Sequence, residues 1–193
     1  MKNKEKVRQD IVEVAASVFS RFGYKKTSMD DIASVLGMGK SSLYYYFRSK
    51  EEIFEAVVVH EAELLKKSLQ EVLNQNKDPR SRLKNYILVR MRELKKLSNY
   101  YNAIFSPDFS HFAFIERIRK RYDKEERQTV EKILIEGARL HAFNIENTRL
   151  AATAICTAMK GLEIPLFWEN KGPETESRLD DILMILFYGI VKR

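Results

Sequence analysis

Cysteine, proline, glycine and histidine are all scarce: the 193 residues include one Cys, four Pro, seven Gly and three His. A single thiol, Cys156, excludes an internal disulfide and any cysteine-rich metal site, and its apolar neighbourhood suits a reducing compartment. His60, His111 and His141 lack the short spacing of a metal-binding pair. No short spacing brings Cys156 together with a histidine and an acid, and a lone cysteine in an apolar helix is usually core. Neither catalysis nor a cofactor or metal is therefore expected. Long apolar runs are missing as well. Ala151–Met159 and Ile182–Val191 both fall short of the roughly 20 residues a membrane span needs. Residues 1–10 have no apolar h-region, so no secretory leader is expected there and the protein is expected to be cytoplasmic, without a membrane partner.

What is present is ordinary for a globular chain, with 45% hydrophobic and 32% charged residues. The formal charge of +7 is placed unevenly. Residues 1–50 hold ten Lys/Arg against five Asp/Glu, and the remainder twenty-four against twenty-two. A basic first quarter on a near-neutral body points to a polyanion at one end.

Helical periodicity runs throughout, with no useful strand alternation and no fixed-period repeat. Val7, Ile11, Val14, Val18 and Phe22 form one face of a helix that Gly23 stops. Ser28 and Asp31 form a capping box, with Asp in place of Glu, for a short helix from Met29 to about Leu36. Gly37-Met38-Gly39 makes a turn, and a second short helix spans about Lys40 to Tyr46, with Leu43 directed at Ile32 and Leu36. Ser49 opens a long helix to about Gln75, its apolar stripe carried by Ile53, Val57 and Leu64. Pro79 to Leu97 is helical with Leu83, Ile87, Met91 and Leu94 in register. Tyr100 to Phe114 reads as aromatic and irregular around Pro107. Helix resumes from about Phe112 to His141 and again from Asn147 to Leu162. A disturbance is expected at Pro165, a polar loop at 169–175, and a last helix to Lys192. The expected fold is all-α with about nine helices: a three-helix helix-turn-helix domain at 1–50 and a helical domain at 51–193.

Thr27–Lys50 carries the chemistry. Three short bundle helices are the plain reading, but the second is too polar and too rich in tyrosine to be core on every face. Hydroxyls of Ser, Thr and Tyr bond phosphates or base edges without bulk, and a lysine beside a helix N-terminus joins its charge to free backbone N–H groups. The segments Phe19-Ser20-Arg21-Phe22-Gly23-Tyr24, Thr27–Ala33, Gly37–Phe47 and Ser49–Ile53 together resemble the DNA-binding domain of the TetR (tetracycline-repressor-like) family of bacterial transcriptional regulators. The resemblance implies that Thr27, Tyr44, Tyr46 and Lys50 touch the DNA backbone. It places Lys40, Ser41, Ser42 and Tyr45 near base edges. Many relatives have His where Tyr46 stands; a phenol can also donate to phosphate.

Beyond Ile53 the chain resembles the family only in length and helicity. Tyr100, Tyr101, Phe105, Phe109, Phe112 and Phe114 read either as core packing or as the wall of a ligand cavity, mostly apolar with few polar groups. The family's habit of holding an effector between helices raises the second reading, with Met91, Leu94, Met159 and Trp168 as further lining. An apolar or amphipathic small molecule is the ligand class expected. Two apolar stripes, Ala151, Ala154, Ile155, Ala158 and Leu162 and then Leu179, Ile182, Leu183, Leu186, Phe187 and Ile190, read either as a pair buried in one subunit or as a four-helix homodimer seam. The second is favoured because a reader with one recognition helix gains affinity and palindromic specificity by pairing. A homodimeric repressor on a double-stranded DNA operator is the expectation. A ligand-independent DNA-binding protein, architectural or regulated by a partner, is the alternative.

Overall fold

The computed structural model describes residues 2–75, 78–105 and 112–167 together with Met184. These residues form eight helices and no strand: α1 Lys2–Phe22, α2 Met29–Val35, α3 Lys40–Tyr46, α4 Lys50–Gln75, α5 Pro79–Lys96, α6 Ser98–Phe105, α7 Ala113–Arg139 and α8 Thr148–Phe167. The last helix expected from the sequence lies outside the described residues.

The chain divides into two compact units, one of Met1–Leu65 with Leu97–Ile118 and one of Lys66–Lys96 with Arg119–Arg193. In the first, α1 buries Ile11, Ala15, Val18 and Phe19, α2 buries Ile32, α3 Leu43 and α4 Ile53, Phe54 and Val57, with Phe19 edge-on to Phe54 at 5.4 Å. Two members of the expected stripes fall outside this core. Phe22 is 52% exposed and Leu64 44%. On α1 the buried face has already turned to Val18 and Phe19 one turn earlier. The ring of Tyr24, beyond the helix end, fills the next space against Phe19 and Phe54 at centroid distances of 5.7 and 4.7 Å.

The stretch read as irregular begins with a helix, α6. Its first turn is held by Glu61 of α4, a carboxylate only 7% exposed. Glu61 Oε2 accepts the Tyr100 backbone N–H and Oε1 accepts Asn99 Nδ2, each at 2.7 Å. Asn99 Nδ2 also donates to the Ala16 carbonyl of α1 at 2.9 Å. An acid that caps a helix thirty-nine positions away leaves no local sequence signal.

In the second unit Leu83, Tyr86, Ile87 and Met91 of α5 pack with Val130, Ile133 and Leu134 of α7 and Ala152, Ile155, Cys156 and Met159 of α8. Phe143 joins this core over Gly137, where a Cβ would overlap its ring. The disturbance expected at Pro165 does not end α8, which continues to Phe167. A proline this close to a helix end forfeits only one backbone bond.

The α2–α3 turn depends on Gly37, whose φ of +64° lies in the left-handed region. Met38 N–H donates to Ala33 O and Gly37 N–H to Ser34 O at 3.0 and 3.1 Å, the paired bonds of a Schellman motif. Gly37→Ala is expected to cost about 1–2 kcal/mol. Gly39→Ala, at an ordinary φ of −67°, should lose much less. Urea titrations of the two variants check this; equal midpoints would remove the backbone argument.

Candidate nucleic-acid interface

The local structure of the head follows from its caps. The expected box at α2 forms: Ser28 Oγ accepts Asp31 N–H at 3.2 Å, and Asp31 Oδ2 accepts Ser28 N–H at 2.8 Å and its hydroxyl at 2.6 Å. These bonds hold the Asp31 carboxyl below the ordinary range. The Schellman turn then reverses the chain into α3, anchored through Leu43, which is fully buried, with Phe47 buried just beyond the helix. Every other α3 side chain is exposed or half-buried. A seven-residue helix that buries one residue presents most of its side chains to solvent.

The base-edge set is thus brought together on one short helix. Ser41 and Ser42 are exposed, and Tyr45 is 67% exposed. Lys40 pairs with Asp30 of α2 at 2.7 Å, and that bond raises its ammonium above the ordinary lysine value. Lys40 is therefore held by α2. Tyr45 accepts a bond from Lys4 at 3.3 Å, whose Nζ also lies 4.5 Å from the ring centre.

The backbone set is more divided. Tyr44 is 43% exposed and Tyr46 half-buried, its ring edge-on to Tyr45. Thr27 is only 3% exposed, and its hydroxyl donates to the Gly23 carbonyl at 2.9 Å. Its proton is already used in closing the α1–α2 turn. Lys50 does similar work: its ammonium donates to Tyr24 O at 2.9 Å and Thr27 O at 2.8 Å and lies 4.3 Å from the Tyr24 ring centre. Tyr24 itself donates to Glu51 at 2.8 Å, and burial followed by that bond raises its phenol above the ordinary value. Lys50, Glu51 and Tyr24 together lock the start of α4 to the turn before α2.

Lys4 and Arg8 were not singled out by the sequence reading. Arg8 lies 4.0 Å over the Phe47 ring and donates to the Tyr46 carbonyl at 3.4 Å. Their four-residue spacing on α1 and the basic start of the chain were the available signal. The groove between α1 and α4, about 710 Å³, is by contrast lined by Glu5, Glu52, Glu55 and Glu63 against one arginine, Arg8. Phosphate would be repelled there. The surface carrying α3 is instead rich in hydroxyls, with Lys4 and Lys40 beside them.

The remaining expected site residues scatter. Met91 and Met159 share the core of the second unit, and Leu94 is buried on the same helix as Met91. Phe112 belongs instead to the first unit, stacked on Phe114 at 5.5 Å and edge-on to Tyr24 at 5.6 Å. Tyr101 and Phe105 fall on α6, but their side chains, like Phe109 and Trp168, lie outside the described set. On α8, Ala151, Ala158 and Leu162 are half-exposed, whereas Ile155 is 3% exposed and turned into its own core. Leu179, Ile182, Leu183, Leu186 and Ile190 lie outside the described residues. Cys156 is buried beside Met159, and desolvation pushes its thiol up to about 12. No cluster of three or more potential metal ligands occurs among the described residues, and none of their helices is long and apolar enough to cross a membrane.

Residues 11–57 match the family model described as bacterial regulatory proteins, tetR family. This head is that of the tetR family. The match spans α1 from Ile11 through the turn, α3 and the first residues of α4. The chain is 43% identical over 47 residues to the HTH-type transcriptional regulator YhgD of Bacillus subtilis, covering 24% of this chain and 25% of that protein. It is 42% identical over 52 residues to the biofilm operon icaADBC HTH-type negative transcriptional regulator IcaR of Staphylococcus aureus, covering 27% and 28%. The chain thus aligns with only about a quarter of the length of these relatives. The whole fold is similar to a transcriptional regulator from Saccharomonospora viridis solved in complex with choline, with a TM-score of 0.82, 21% identity and coverage of 98% and 100%.

Proposed function

We propose that this tetR-family chain is a cytoplasmic, homodimeric transcriptional regulator, a repressor that a small apolar or amphipathic effector releases from a palindromic operator. One observation carries the reading: α3 buries Leu43 alone and exposes Lys40, Ser41, Ser42, Tyr44 and Tyr45 behind a capped α2. Residues 1–50 would supply DNA reading and residues 51–193 effector binding and pairing. Ser41, Ser42 and Tyr45, with Lys40 once it leaves Asp30, would meet base edges. Tyr44, Tyr46 and Lys50 would face the backbone, and Thr27 would act there through the turn it closes. Lys4 joins the set because it already sits against Tyr45. The negative regulation named for the Staphylococcus aureus relative favours repression, and the choline complex of the structural neighbour favours a small effector.

The body offers partial support for that effector. Met91 and Met159 share a core with the Tyr86 phenol and the Arg90–Glu126 pair. Apolar walls with a few convergent polar groups are what ligand sites use. Leu94 and the Tyr101–Phe109 stretch with Trp168 remain in the proposal, while Phe112 leaves it. In the dimer seam Ala151, Ala158 and Leu162 remain, with the apolar stripe of 179–190 as their proposed partner, and Ile155 supports the seam from behind.

Lys50→Ala should weaken binding alike across DNA sequences and reduce the magnitude of the salt slope by about 1. Because the same ammonium clamps Tyr24 O and Thr27 O, the variant should also unfold earlier. Fluorescence anisotropy over a salt series checks both the slope and the sequence dependence. A changed sequence preference would refute the phosphate role. Sedimentation at micromolar concentration should return a dimer; a monomer would end the pairing proposal.

A further inference from the structure

Most acids along α7 are engaged by cations. Asp123 holds Lys160 at 2.6 Å, Glu125 holds Lys66 at 2.9 Å and Arg121 at 3.1 Å, Glu126 holds Arg90, and Glu136 holds Arg82. Lys124 and Arg127, three residues apart and so neighbours on one helix face, have no carboxylate partner among the described residues. Nor does Arg149 in the first turn of α8. All three are exposed, and all three line one groove of about 390 Å³ between α7 and α8. Its one acid is Glu131, and Ala152 on α8 contributes little bulk to the wall. Like charges on neighbouring positions repel, and the start of α8 adds the positive end of a helix dipole. A cavity of this size falls in the range of small-molecule sites.

We propose that this groove binds the phosphate or pyrophosphate group of a small molecule, with Arg127 and Arg149 gripping from the two helices and Lys124 adding charge. Arginine suits the task because its planar fork matches phosphate oxygens in pairs. Glu131 limits the affinity, which gives the site a test with two opposite signs. The site is separate from the DNA-reading surface and stands whether or not the chain represses.

The experiment is an NMR titration of the full chain with inorganic pyrophosphate at low salt, following the Arg127 and Arg149 Nε–H signals so that phosphate meeting the basic head is not counted. Saturable shifts of both signals are expected. Arg127→Gln with Arg149→Gln should weaken binding about tenfold, read from the backbone amides of residues 148–153. Glu131→Gln should strengthen it several-fold by removing the repelling carboxylate. Linear, unsaturated shifts in the wild type would overturn the proposal. So would saturable binding that neither change alters. Arg149→Lys, which keeps the charge, should lose part of the affinity; full retention would overturn the arginine grip.

Discussion

Arg90→Leu is expected to lower the unfolding free energy by about 3 kcal/mol, because it strands the Glu126 carboxylate where little water reaches it. Arg90 is 6% exposed, and the two side chains are 7% and 13% exposed. They meet in the second unit, where Tyr86, Met91 and Cys156 are neighbouring core residues. The pair itself need not be net stabilising, since burying two charges offsets much of their attraction. Arg90→Met combined with Glu126→Leu should therefore recover most of the loss, and urea titrations of the single and double variants measure the coupling. Cys156 supplies a second readout. As a 4%-exposed neutral thiol it should resist alkylation in the native protein and react faster in Arg90→Leu as that core opens. A loss below about 1 kcal/mol would mean that Glu126 finds water, contrary to its burial.

Glu61→Ala should cost about 2–4 kcal/mol, since it removes the acceptor of one Asn99 amide proton and of the Tyr100 N–H in one step, leaving Asn99 only its bond to Ala16 O. Glu61→Gln should cost less, because the amide keeps one acceptor. The two variants also predict a pH dependence. Burial raises the Glu61 carboxyl above the ordinary 4.5 and outweighs the bonds from Tyr100 and Asn99, which lower it. A raised folded-state value means that the folded chain binds this proton more readily than the unfolded one. The associated stability is present below the unfolded value and is lost as pH rises through the folded one. Wild type should therefore gain on Glu61→Gln as pH falls from neutrality toward 4.5. A parallel pair of stability curves would show that the carboxylate is not desolvated.

Local signals were legible in the sequence where short-range chemistry decides. Ser28–Asp31 is a cap contained within four residues, Gly37 a turn contained within two, and α3 appears from Lys40 to Tyr46 as expected. The register of α5 was equally readable because Leu83, Ile87, Met91 and Leu94 all bury. What escaped was long-range. Glu61 reads as one more charge on α4 until α6 arrives to be capped. Lys50 reads as a phosphate contact, and nothing local signals that it also clamps two carbonyls of the α1–α2 turn. Phe112 reads as body until Tyr24 and Phe114 take its ring. Thr27 resembles a phosphate contact by position, but tertiary packing covers it and commits its proton to Gly23.

Whether α3 reads base edges is decided by selecting bound duplexes from random DNA with three proteins: wild type, Lys50→Ala and Ser42→Ala/Tyr45→Ala. Wild type should recover a palindrome whose half-sites lie about one helical turn, or a multiple of it, apart. Lys50→Ala should recover the same palindrome with weaker binding, and Ser42→Ala/Tyr45→Ala a changed or relaxed half-site. Recovery of no motif by the wild type, or of an identical motif by Ser42→Ala/Tyr45→Ala, would contradict base reading by α3.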